Sequence, residues 1–133
     1  MARVQGKLYV WQSPRLQPEA NQMDESSAVL FGELNNWPSK GEMAGILSAA
    51  GLRLVVGRCS IRIEDCSHFI LKEYGCDLGP PSIEANADSV DHMLRDGGLV
   101  SNALAQAGLH HRFEIHNELQ ELVSYLHHNW PAI

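Results

Sequence analysis

Apolar residues recur at two spacings along this chain, every second position and every third or fourth, and glycine, proline or asparagine marks most changes between them. Lys7-Leu8-Tyr9-Val10-Trp11 consists of strand formers and stops at Ser13-Pro14, which predicts a strand closed by a breaker. Residues 14–27 hold prolines, an asparagine and charged groups with no sustained apolar period, and read as an exposed loop. Ala28 to Leu34 reads as a buried strand, after which Asn35 to Ser39 supply turn formers and a helix cap. The helix then begins near Ser39 or Lys40. Met43, Ile46, Leu47 and Ala50 fall on one helical face, and Gly51 suits the left-handed residue that ends it.

From Leu52 to Val56, through Ile61-Arg62-Ile63, and from Ser67 to Tyr74, β-branched and aromatic residues dominate, with Glu64-Asp65 as a turn. This predicts a hairpin or short meander. Gly75 to Pro81 reads as a loop, and Ser82 to Asn86 fits no single element. Asp88 or Ser89 can cap a helix through Arg95, which Gly97-Gly98 is expected to interrupt. A further helical segment carries Val100, Ala103, Leu104 and Ala107 on one face and ends at Gly108. The chain closes as a hairpin: His111, Phe113 and Ile115 alternate with Arg112 and Glu114, the turn spans Asn117 to Gln120, and Leu122 to His128 returns.

These elements predict an α+β domain over residues 1–133, an antiparallel sheet of about five to seven strands with two main helices packed on one face. Gly41, Leu47, Ala50, Gly51 and Leu52 recur as Gly98, Leu104, Ala107, Gly108 and Leu109, and Asn36-Trp37-Pro38 recurs as Asn129-Trp130-Pro131. One reading is a duplication of helix-strand-strand units, joined through residues 75–88, with a groove where the halves meet. The other is local: any helix that ends on a glycine and enters a strand tends toward Ala-Gly-Leu. The outline is similar to that of tandem strand-helix-strand-strand folds such as the vicinal-oxygen-chelate group and the gyrase-inhibitor family. That similarity is one of topology, and it lends no functional residue.

A chain of 133 residues, 44% of them hydrophobic, is long enough to bury one core. Sixteen acidic against ten basic residues give a formal charge of -6, which argues against a partner held through phosphate contacts and suits a basic one. No window reaches the roughly 18 apolar residues of a membrane span, and the first residues lack the apolar stretch of a secretory leader, so a cytoplasmic location without membrane contact is expected. The three cysteines, Cys59, Cys66 and Cys76, show no metal-binding spacing and are expected to be ordinary reduced thiols.

Four of the seven histidines form two adjacent pairs, His110-His111 and His127-His128, at the two ends of the C-terminal hairpin. A turn centred near Leu119 sets His110 opposite His128 and His111 opposite His127, and opposed residues lie about 5 Å apart. The pair His111 and His127, with a carboxylate such as Glu33 or Glu114, is the candidate metal site, set against the plainer role of polar residues at a strand end. Trp37 and Trp130, each followed by proline, either cover the end of the core or serve as binding anchors. Cys66 and His68 make a weak nucleophile–base pair at best.

No nucleophile elbow, phosphate loop or zinc motif is present, and no cofactor is indicated. The leading expectation is therefore a non-catalytic binding or accessory protein, in the manner of bacterial immunity proteins, that recognises a macromolecular partner. The alternatives are a small-molecule module with a pocket between the half-units, and a histidine-based metal-dependent enzyme. Exposed sheet edges also leave a homodimer open.

Overall fold

A computed structural model of the protein describes residues 27–76 and 79–130. The expected strand Lys7–Trp11, and the 14–27 loop apart from Ser27, lie outside these residues. In chain order the elements are β1 (Ala28–Leu34), α1 (Lys40–Ala49), β2 (Leu54–Val56), β3 (Ser60–Ile63), β4 (His68–Lys72), β5 (Ser82–Ala87), α2 (Val90–Gln106), β6 (His111–His116) and β7 (Leu122–His128). The strands form one sheet of seven in the order β2-β3-β4-β5-β1-β6-β7, with every neighbouring pair antiparallel. The protein is thus α+β, as its periodicities require, and Ser82 to Ala87 is a strand.

Alternate residues of the central strands, among them Leu30, Ile83, Phe113 and Ile115, are buried in a single core with Met43 and Leu47 of α1 and Met93, Val100 and Leu104 of α2. The other face of these strands is half-buried or exposed. This is the two-sided alternation of an antiparallel sheet covered by helices on one side.

Each helix starts where its cap stands. Ser39 accepts the Glu42 N–H at 3.1 Å while the Glu42 carboxylate accepts the Ser39 N–H at 3.0 Å, a reciprocal capping box. Ser89 accepts the His92 N–H at 3.1 Å. Both helices end alike: Gly51 and Gly108 take positive φ, and Leu52 and Leu109 donate to the carbonyls of Leu47 and Leu104. The Ala-Gly-Leu echo therefore coincides with a shared helix-end geometry. The strands that follow are not equivalent, since β2 lies at an edge of the sheet and β6 lies inside it beside β1.

Two expectations need correction. Gly97-Gly98 does not interrupt the second helix, which runs through both as one element of 17 residues. Gly97 instead lets the helix approach the sheet, because a Cβ there would stand 3.0 Å from Leu30 Cδ1, whereas Gly98 faces open space. The cysteines are not all free thiols either. Cys59 and Cys76 form a disulfide that ties the β2–β3 turn to the segment after β4, leaving Cys66 alone and buried. Sequence could not foresee this, because the antiparallel pairing of β3 with β4 brings together positions 17 apart. Among the described residues, no helix is long and apolar enough to cross a membrane.

Candidate binding groove

The uncovered face of the sheet carries the outward side chains of β1, namely Val29, Phe31 and Glu33. The register sets Phe31 between Glu84 of β5 and Glu114 of β6, and Glu33 beside Arg112, which in turn faces His127 of β7. Phe31 is 51% exposed, although it stands on an interior strand of the sheet. The His116 ring meets it edge-on with centroids 6.1 Å apart, and the rest of the ring stands open.

Asn36-Trp37 and Asn129-Trp130 leave the sheet at the same end, because β1 and β7 are each antiparallel to β6 and so run parallel to one another. β5 begins at that end as well, behind Pro80 and Pro81. Phe31, Glu33, Trp37, Pro80, Pro81, Glu84 and Trp130 accordingly border one groove with a volume of about 530 Å³. Trp37 is fixed from beneath by Tyr74, whose ring meets the indole edge-on with centroids 5.2 Å apart and whose hydroxyl donates to the Pro38 carbonyl. Its half-buried indole serves the core and the groove wall at once.

Arg112 organises the other wall. Its Nε donates to Glu33 at 2.8 Å, its Nη1 donates to Glu114 at 2.6 Å, and its guanidinium carbon lies 5.7 Å from the Trp130 ring centroid. The hydrogen bond to Glu33 is the main reason its proton is held more tightly than usual, with the Glu114 charge adding to it. On the β5 side, Lys72 pairs with Glu84 at 3.2 Å. The groove is thus an aromatic and proline-lined trough bordered by carboxylates, with one cation already lying against an indole.

The histidines divide between the two faces. The hairpin register differs by one residue from the expected one: His111 faces His128, and His127 faces Arg112, so the candidate metal pair His111 and His127 points to opposite sides of the sheet. The turn is centred on Leu119 as expected, with Asn117 bonded to Glu121 and His116 opposite Leu122; the register shift between Ile115 and His116 accounts for the difference. His110 and His111 both approach His128, with ring centroids 5.8 and 6.2 Å apart, while His127 packs 5.2 Å from Tyr125 on the outer face. Among the described residues no three His, Cys, Asp or Glu side chains gather as a metal site.

His111 is fully buried. Its Nδ1 lies 2.9 Å from the Leu109 carbonyl, which can only accept, so Nδ1 carries the proton and Nε2 accepts the Ser101 hydroxyl at 2.7 Å. Burial is the main cause that lowers its pKa below the usual histidine range, and the neighbouring His128, His127 and His110 act in the same direction.

Among the described residues nucleophilic chemistry finds no frame. Burial pushes the Cys66 thiol up to about 12, and the Asp96 charge adds to that shift, so it holds its proton at neutral pH. His68 lies at the exposed start of β4. The structure does assemble a serine, a histidine and an aspartate that sequence reading missed: Ser67, His92 and Asp96, the last two at helical i, i+4 spacing. Ser67 Oγ lies 3.0 Å from His92 Nε2, but the Asp96 carboxylate approaches the same nitrogen, at 3.8 Å. A catalytic triad requires the acid on the opposite ring nitrogen. Asp96, fully buried, instead accepts the Ser67 N–H at 3.0 Å and Arg95 at 2.9 Å, which fastens the β3–β4 turn to α2.

Of the seven residues singled out from sequence, Glu33, Trp37 and Trp130 meet in the groove, His127 stands further along the same face, and His110, His111 and His128 cluster separately. Phe31, Pro80, Pro81, Glu84 and Arg112 were missed. The alternation in β1 was the available signal, since it sends Phe31 outward whenever Leu30 is buried. Compared with known proteins, the chain matches no family model, no curated protein and no solved structure.

Proposed function

We propose that this is a non-catalytic binding protein whose groove on the open sheet face receives a basic side chain from a protein partner. The observation that carries the reading is the convergence of Phe31, Trp37 and Trp130 with Glu33 and Glu84 around one groove. Aromatic faces attract a guanidinium or ammonium group through their quadrupole, and carboxylates at the rim add charge-assisted hydrogen bonds. Arg112 lying against Trp130 while bonded to Glu33 is an intramolecular instance of the same chemistry. The formal charge of -6 favours encounter with a basic partner.

A macromolecular partner is preferred because the groove opens onto a broad face rather than a closed cavity. Val55, Arg62, Ile70, Glu84, Phe31, Glu114 and Tyr125 lie in one row across the sheet, a mixed surface able to extend a contact beyond one side chain. A small cationic molecule is the second reading, since about 530 Å³ falls within the range of small-ligand sites.

Calorimetric titration with an arginine-containing tripeptide amide, and with its citrulline counterpart, tests the proposal. Saturable binding of the arginine peptide, lost with citrulline and weakened in Glu33→Gln, is expected. Absence of heat with either peptide contradicts it, and guanidinium ion binding as tightly as the peptide favours the small-molecule reading.

A further inference from the structure

We infer that β7 is a dimerisation edge, pairing antiparallel with β7 of a second copy so that the two sheets become one. The two edges of the sheet differ in a way that selects this one. β2 spans three residues, and the turn that follows it is held by Lys40, whose ammonium donates to the carbonyls of Gly57 and Arg58, each at 2.6 Å. An edge of three residues offers few backbone groups to another strand.

β7 has seven residues, Leu-Val-Ser-Tyr-Leu-His-His, with no proline, no lysine and no acidic group. Beyond the bulge at Val123, where its register with β6 shifts, it carries none of the usual devices that protect an edge, and among the described residues nothing pairs with its outer side. Leu122, Val123 and Tyr125 are 56%, 41% and 41% exposed, a high apolar exposure for an uncharged strand.

The occupant is a second copy because the strand is complementary to itself. Antiparallel pairing about Tyr125 sets Val123 opposite the partner's His127, Ser124 opposite the partner's Leu126, and the two Tyr125 rings side by side. No acidic or lysine side chain meets its like. Such a contact is isologous and closes as a twofold dimer.

The flank of α2 continues the surface. The bond between Ser101 and His111 turns that side of the helix toward β6 and β7. Val90, Leu94 and Ala105 share the flank by helical spacing, and none of them is charged. Two such flanks would face each other beneath the joined strands, extending the contact toward the roughly 800 Å² per partner of a stable interface.

Sedimentation of the full chain, joined with hydrogen exchange of the β7 amides, tests the inference. Wild type is expected at twice the 14.7 kDa chain mass, with alternate β7 amides protected. Tyr125→Lys and Val123→Lys, both at exposed outer-face positions, are expected to sediment as monomers with those amides exchanging freely and unchanged circular dichroism. A monomeric wild type overturns the inference. So does a dimer that persists in both folded variants.

Discussion

Lowering the pH should destabilise this protein through His111 in particular. In the folded state its Nε2 is occupied as an acceptor for Ser101 and its Nδ1 proton goes to the Leu109 carbonyl. A second proton would remove the acceptor and place a charge in a fully buried site beside His128 and His110. The folded pKa is accordingly depressed, while the unfolded chain titrates at about 6.5.

The sign follows from that difference. Above the unfolded value neither state binds the proton, and the group leaves stability unchanged with pH. Below it the unfolded state binds a proton that the folded state refuses, so stability falls by up to about 1.4 kcal/mol per pH unit until the folded pKa is reached. Urea unfolding from pH 7.5 to 5.5, wild type against His111→Gln, reads this directly. The variant is expected to be less stable at pH 7.5 by about 1–3 kcal/mol, for lost packing and hydrogen bonding. The gap should narrow by about 1 kcal/mol as the pH falls, since the variant has no imidazole at this position to titrate. A gap that stays constant across the range refutes the assignment of His111 as a buried neutral imidazole.

Two other predictions follow from backbone and covalent features. Gly98→Ala is expected to stabilise by about 0.8–1 kcal/mol, because its position is open and alanine is the better helix former, whereas Gly97→Ala should stabilise less or destabilise through its contact with Leu30; thermal melts rank the two. Cys59→Ser should cost about 2–4 kcal/mol by opening the loop to Cys76, with denatured, unreduced wild type titrating one free thiol, Cys66. Three free thiols before reduction would contradict that pairing.

The sequence carried the fold further than it carried the site, for physical reasons visible in particular residues. Capping and periodicity are local, so Ser39, Ser89, Gly51 and Gly108 marked helix ends that the structure keeps. What failed depends on partners distant in sequence. Gly97 looks like a helix breaker until Leu30 is seen against it, and Cys59 looks like a free thiol until β3 and β4 bring Cys76 beside it. The hairpin register was wrong by one residue, enough to send His127 to the opposite face from His111. Trp37, Trp130 and Glu33 were recognisable as candidates, but their convergence with Phe31 and Glu84 rests on the parallel course of β1 and β7, which no local pattern encodes.

The most direct test of the groove is an NMR titration that follows the indole N–H resonances of Trp37 and Trp130 as the arginine tripeptide amide is added. The account predicts saturable shifts of both indoles and no response to the citrulline peptide. Shifts that are absent, that are equal for citrulline, or that remain undiminished in Glu33→Gln would contradict it.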